Sequence, residues 1–251
     1  MRACRGKNSR RGCPVEAFKT PTGFADGTVC LEAVFFDPDH WDEIDTMADL
    51  KQTEKMFDAN YVAPAAQALV GLPRMAEIDY AKVNRYWEAA TPSILGPYML
   101  DDFGFPASAG EFRFRAESRI VHRLTLAVKR DGSVLDLGSG IGVWAEDFAR
   151  RFSRVTAVEG SRALFQSLQR RCARYPNLRP IHGDVMNLES AASYDLVFLG
   201  GLLMYLNERD VIALLRKLVR CLEPGGMILC RESTVRGDAV ALGGNYQVVY
   251  R

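Results

Sequence analysis

The run Val134-Leu135-Asp136-Leu137-Gly138-Ser139-Gly140-Ile141-Gly142 constrains this chain more than any other stretch. An apolar run ends in an acid, then in three glycines at alternate positions, and a helical pattern follows. A strand must turn sharply into a helix there, with no side chains in the bend. Such a turn lets a ligand lie against bare backbone and the helix N-terminus. Two further acids end the next two apolar runs. Glu159 closes Val155-Thr156-Ala157-Val158-Glu159, and Asp184 closes Ile181-His182-Gly183-Asp184. Together the three features predict a nucleoside-binding α/β domain.

The pattern around this turn alternates between strand and helix. Strands are expected at 133–137, 154–158, near 178–182, at 195–199 and at 227–230. Helices are expected at 141–152, from Ser161 as N-cap to about Arg174, and over Glu208–Cys221 with Val211, Leu214, Leu215 and Leu218 inward. Pro224-Gly225-Gly226 turns the chain into the last strand. Short loops between alternating elements imply a doubly wound parallel sheet, whose ligands bind at the carboxyl ends of the strands. From Glu232 to Arg251 there are 20 residues, and a helix with two closing strands needs roughly twice that. The sheet is therefore expected to be incomplete at its C-terminal edge, unless the N-terminal extension or a partner chain, as in a homodimer, closes it.

Upstream, three regions are expected: a disordered leader over 1–28, an extension over 29–130, and the ligand-binding domain over 131–251. The leader is basic, with Arg2, Arg5, Lys7, Arg10 and Arg11 before the first acid, Glu16, and no apolar segment marks it as a secretory signal. Val29–Phe36 reads as a strand. Residues 37–58 read as an amphipathic helix with a solvated acidic face, and a short helix opens at Pro64. A helix around Asp79–Ala90 carries Tyr86 and Trp87 and stops at Thr91-Pro92. Residues 93–110 read as a loop, and Phe112–Lys129 as a helix with Ile120, Leu124 and Val128 on one face.

With net charge +1, no global field points to nucleic acid. No apolar run approaches the roughly 18 residues that span a bilayer. The six cysteines show no CxxC pair and no metal spacing, and Cys172, Cys221 and Cys230 read as small core residues. A reduced, cytoplasmic protein with no metal is expected. His122 and His182 read as structural.

The glycines alone leave two ligands open. Gly140-x-Gly142-x-x-Ala145 also fits the loose dinucleotide pattern. Asp136 inside the motif and Gly183-Asp184 after the third strand favour S-adenosylmethionine (SAM) over a nicotinamide cofactor, because the second pair suits an adenine edge.

Residues 133–231 resemble the class I SAM-dependent methyltransferases. The resemblance is carried by the glycine turn Asp136–Gly142, Glu159, Gly183-Asp184 and Glu223-Pro224-Gly225-Gly226. A closer resemblance, to plant-type phosphoethanolamine N-methyltransferases, is carried by Leu202-Leu203-Met204-Tyr205-Leu206, Arg231-Glu232-Ser233, Tyr86-Trp87-Glu88 and Met99-Leu100-Asp101. It implies the following site. Gly138 and Gly140 would pass the methionine part of the cofactor, and Asp136 and Ser139 of the same turn would also bind the cofactor. Glu159 and Gly160 would meet the ribose, where a carboxylate offers two acceptors to a diol. Asp184 and Val185 would border the adenine, and Gly200 with Gly201 would lie under the sulfonium. Tyr86 and Tyr205 would be catalytic, Tyr86 covering the site and Tyr205 facing the acceptor. Trp87, Met204, Arg231 and Tyr246 would bind the substrate. The family's phosphate-gripping arginine falls near Tyr250, with Arg251 one place off, so the acceptor is expected to be a small molecule, an amine or a hydroxyl. A SAM-binding chain that is inactive, or active only with a partner, is the other reading.

Overall fold

The computed structural model describes residues 16–19, 32–35, 77–90, 107–188, 192–233, 240–242 and 247–250. The expected helices at 37–58 and from Pro64, and Tyr246, lie outside them. The chain divides into two compact units, one of residues 1–22 with 31–63 and one of 23–30 with 64–251. In the first, β1 (Glu16–Lys19) pairs antiparallel with β2 (Glu32–Phe35), Glu16 opposite Phe35. The expected strand at 29–36 is thus present in part. Its partner comes from the segment read as a disordered leader, a correction that the basic composition concealed.

In the second unit, strands β3 (Ser133–Leu137), β4 (Arg154–Glu159), β5 (Leu178–His182), β6 (Tyr194–Gly200) and β7 (Leu222–Arg231) form one parallel sheet, in the order β5-β4-β3-β6-β7. All five expected strands are there. β7 begins earlier than expected because Glu223–Gly226 loops out inside the strand: Tyr194 pairs with Leu222 and Leu196 with Met227, and Gly225 takes φ 81° to allow the loop. A separate antiparallel pair, β8 (Val240–Leu242) with β9 (Val248–Tyr250), follows.

Strand alternation divides the core in two. Val134, Ala157, Leu196, Phe198 and Leu229 face one side. There they meet Trp144 and Phe148 of α3 (Val143–Ala149), Leu168 of α4 (Arg162–Cys172) and Val121 of α2 (Ala107–Leu124). Leu135, Leu137, Val158, Val197 and Leu199 face the other side, against Leu214 and Leu218 of α5 (Glu208–Val219). Leu214 and Leu218 lie four residues apart on one helical face and are both fully buried, each contributing about 1.5–3 kcal/mol. Leu214 and Leu218 are two of the four residues the periodicity predicts inward, and Val211 packs beside them; on α2 it is Val121, not the expected Ile120, that enters the core. α2 starts five residues before expectation, just after Pro106, whose fixed φ suits a helix entry. α1 (Tyr80–Glu88) is capped by Asp79, whose carboxylate accepts from Ala81 N at 2.9 Å.

Because α1 and α2 belong to the same compact unit as the sheet, the expected boundary at residue 130 does not separate two units. Cys172 and Cys221 are buried as expected, whereas Cys230 is exposed on β7, the sheet's last strand in this order. His122 pairs with Asp147 at 2.7 Å, and His182 stacks on Phe165 with ring centroids 5.0 Å apart. No helix among the described residues is long and apolar enough to cross a membrane.

Candidate functional site

The chain runs outward from β3 to β4 and β5, then returns to β6 on the other flank of β3. That reversal opens a crevice at the carboxyl ends of the strands. Gly138, Gly140 and Gly142 stand there at φ 67°, 56° and 84°, conformations that side chains disfavour. A Cβ on Gly142 would also come within 2.5 Å of Leu168 Cδ1. Ser139 fixes the turn: its N–H donates to Val158 O at 3.0 Å and its hydroxyl to Asp136 O at 2.9 Å.

Glu159 ends β4 and is buried. Its Oε2 accepts from Gly140 N at 2.7 Å and its Oε1 from Ser161 N at 2.8 Å. One carboxylate therefore ties the glycine turn to the next loop and keeps further lone pairs for a diol. Burial raises its pKa, and the N–H groups of Ser161, Gly140 and Gly160 oppose the rise. Asp136 is buried as well, with Oδ2 lacking any hydrogen-bond partner among the described residues. Burial pushes its carboxyl up to about 7, Ser139 opposes this, and the neighbouring charge of Glu159 adds to it. Two crowded acids of this kind suit a ligand that brings positive charge.

The adenine-side residues are open. Gly160 is exposed, and a Cβ on Gly183 would meet no atom within 4 Å. Asp184 is exposed and caps the turn Val185–Asn187 by accepting from Met186 N at 2.8 Å, while Val185 is buried in the core. Gly200 is demanded by packing: a Cβ would lie 2.8 Å from Phe198 Cε1.

Three aromatic rings form a row. Tyr86 and Trp87 stand edge to face with centroids 5.1 Å apart, and Trp87 and Tyr205 likewise at 5.3 Å. Tyr205 lies on a 3₁₀ turn, Leu203–Tyr205. Trp87 and Tyr205, distant in sequence, are thus brought into contact.

α1 holds this row in place through both its ends. At its start Asn207 bonds Ile78 in both directions, from Ile78 N to Oδ1 at 2.8 Å and from Nδ2 to Ile78 O at 3.3 Å. Asp79 N donates to Gln247 Oε1 at 2.7 Å, and the Tyr80 hydroxyl donates to Asp210 and accepts from Asn207 N. At its end Ser161 Oγ donates to Trp87 O at 3.0 Å, and Arg162 N to Glu88 Oε1 at 2.7 Å.

Arg231 stands apart from the expectation that it binds substrate. Its Nε donates to Glu117 Oε2 and its NH2 to Glu117 Oε1, both at 2.7 Å, in a buried fork from β7 to α2. Burial raises the Glu117 carboxyl while Arg231 opposes the rise. Met204 is buried beside Tyr205. Sequence reasoning missed Glu117, Ser161's link to Trp87, the Asn207 clamp and Glu232. Glu232 alone had a signal, an acid directly after the arginine at a strand end.

Residues 134–226 match the family model described as a methyltransferase domain. Phosphoethanolamine N-methyltransferase of Triticum aestivum is 29% identical over 181 residues, covering 70% of this chain and 34% of its own length. Demethylmenaquinone methyltransferase of Staphylococcus epidermidis is 29% identical over 114 residues, 44% of this chain and 46% of its own. The chain spans about a third of the length of the phosphoethanolamine relatives it matches. Among solved structures, Haemonchus contortus phosphoethanolamine N-methyltransferase 1 with phosphoethanolamine and S-adenosylhomocysteine superposes with TM-score 0.50 at 26% identity, over 62% of this chain and 32% of that one. The DhpI-SAM-HEP complex shares the fold, with TM-score 0.52 at 20% identity over 70% of this chain and 82% of that one.

Proposed function

We propose that this chain, whose core is a class I SAM-dependent methyltransferase domain, moves a methyl group from SAM to a small-molecule acceptor, specifically an amine. The observation that carries the reading is the pair of buried acids at the glycine turn. Asp136 has an oxygen without a partner among the described residues, and Glu159 keeps lone pairs beyond those its backbone donors use. Left-handed glycines beside them leave backbone bare, and Gly183 faces open space. A ligand with a cationic centre, a diol and an adenine fits each of these features.

SAM supplies an electrophilic methyl group on sulfur, so the protein's task is chiefly alignment. Glu159 is assigned the ribose hydroxyls, Asp136 with Gly138, Ser139 and Gly140 the methionine part, and Asp184 with Gly160 the adenosine. Tyr86, Trp87 and Tyr205 wall the acceptor side. An alkyl ammonium has a pKa of about 10, like lysine, and must lose its proton before it can attack. Exclusion of water by the three rings favours the neutral amine, and the Tyr205 hydroxyl is assigned to take a hydrogen bond from it. The names of the relatives support an amine over a hydroxyl acceptor. A cytoplasmic location and assembly as a homodimer complete the reading, the latter checked by size-exclusion chromatography.

The test is binding followed by turnover. Calorimetry with S-adenosylhomocysteine is expected to show one site, lost in Glu159→Ala, with no heat from NAD. Transfer of labelled methyl is then measured with phosphoethanolamine, other small amines and hydroxyl analogues. Binding of NAD instead, or transfer to hydroxyl compounds alone, would sink the cofactor or the acceptor part respectively.

A further inference from the structure

We propose that Glu232 is a positioning residue for methyl transfer: its carboxylate, at the end of β7, holds the turn that carries Tyr205. A helical turn leaves its first N–H groups without partners, and a Ser, Thr, Asp or Asn just before it ordinarily accepts from them. The residue in that place here is Leu202, which supplies no side-chain cap. Leu202 is committed elsewhere, for its side chain covers the glycine turn so closely that a Cβ on Gly138 would sit 3.2 Å from Leu202 Cδ1.

The missing cap comes from a different strand. Glu232 Oε1 accepts from Leu202 N and from Leu203 N, each at 2.9 Å. Next to it Gly201 N donates to Arg231 O at 2.7 Å, with Gly201 at φ 79° to make the bend. Three consecutive N–H groups of the segment leading to Tyr205 are thus held by the last residue of β7 and the residue that follows it. Arg231 is anchored in turn by its fork to Glu117. The 3₁₀ turn then delivers Tyr205 to Trp87. Glu232 touches neither ring in this chain of contacts; it acts through the turn. Leu202 faces the cofactor turn and Tyr205 faces the acceptor wall, so one carboxylate sets the spacing between donor and acceptor.

The catalytic half of this assignment rests on the methyl-transfer reading above; the capping half does not. The test therefore has two arms on the full chain, with Glu232→Ala, Glu232→Gln, Tyr205→Phe and the double variant Glu232→Ala with Tyr205→Phe. Hydrogen exchange by mass spectrometry reads the amides of 201–206 without any acceptor. Glu232→Ala should speed their exchange roughly tenfold or more while β3 and β4 keep their protection, and Glu232→Gln, which retains an acceptor oxygen, should restore it. In the second arm Glu232→Ala should lower kcat roughly tenfold with the S-adenosylhomocysteine Kd within about threefold, Glu232→Gln should recover most of the loss, and adding Tyr205→Phe to Glu232→Ala should cost little more. Unchanged exchange at 201–206 in Glu232→Ala, or losses that multiply in the double variant, overturns the proposal. If the wild type binds S-adenosylhomocysteine but methylates no amine, the acceptor reading fails and the exchange arm alone decides the cap. If Glu232→Ala does not fold, Glu232→Asp, which withdraws the oxygen by one methylene, takes its place in both arms.

Discussion

Replacing Glu159 with alanine should weaken the empty protein before any ligand is added. The carboxylate accepts from Gly140 N and Ser161 N at 2.7 and 2.8 Å, and these donors sit in two different loops. A buried N–H left without its partner costs about 1–3 kcal/mol, and a hydrogen bond to a charged group contributes about 1.5–3. Against this, burial disfavours the ionised carboxylate, and removing it relieves that cost. The balance is a loss of about 2 kcal/mol, which for a chain of this size lowers Tm by about 4–8 °C. The ligand then adds a second effect. S-adenosylhomocysteine at about 100 times its Kd stabilises by about 2.7 kcal/mol. Losing two hydrogen bonds from the ribose weakens binding roughly 100-fold or more. The same ligand concentration then adds only about 0.4 kcal/mol. Differential scanning fluorimetry with and without ligand separates the two effects. A variant that melts with the wild type when empty would refute the clamp. One that gains as much from the ligand would refute the contact with ribose.

Three further outcomes follow from the same geometry. Asp136 is held up to about 7 by burial, against 3.8 ordinarily, so the folded chain binds its proton more tightly than the unfolded chain between about pH 4 and 7. Stability should fall as pH rises through that window, and Asp136→Asn should flatten the slope in urea titrations; a slope unchanged by the substitution would refute the assignment. Arg231→Met takes from the buried Glu117 its fork partner and leaves it the more exposed Arg113, at 2.8 Å, so it should cost less than the roughly 3–5 kcal/mol of a fully orphaned charge, with the loss largely recovered when Glu117→Leu is added. A changed acceptor KM at constant urea midpoint would instead make Arg231 a substrate ligand. Gly183→Ala meets no atom in the folded chain and should leave the urea midpoint unchanged while weakening S-adenosylhomocysteine in calorimetry. Equal affinity would move the adenine away from Gly183.

What could be read without coordinates follows the range of the forces involved. The sheet was legible because β3, β4, β6 and the helices α3 to α5 carry their burial in their own periodicity. So was the glycine turn, since left-handed glycines and strand-end acids are local requirements of one turn. Glu159 was read as a ligand to ribose alone; its second task, binding two loops together, needs the fold to bring Gly140 and Ser161 to it. Arg231 illustrates the opposite case. Its motif pointed to substrate, yet its partner Glu117 lies 114 residues away, on a helix read only for its apolar face. The Asn207 clamp on Ile78 was silent for the same reason, because an ordinary helix N-cap position gives no hint of a bond across 129 residues.

The fastening of α1 at both ends has a kinetic consequence. A beam pinned twice cannot swing, so α1 moves only after one end lets go. The two ends are unequal. Ile78 and Asn207 are both buried, and Tyr80 and Gln247 reinforce them. The other end hangs on Trp87 O and Glu88, and Glu88 is exposed to water, which competes for its bond to Arg162. The helix should therefore peel from its Glu88 end, where the second loop meets the Glu159 clamp. The aromatic pair Tyr86 and Trp87 rides on that end and would move with it.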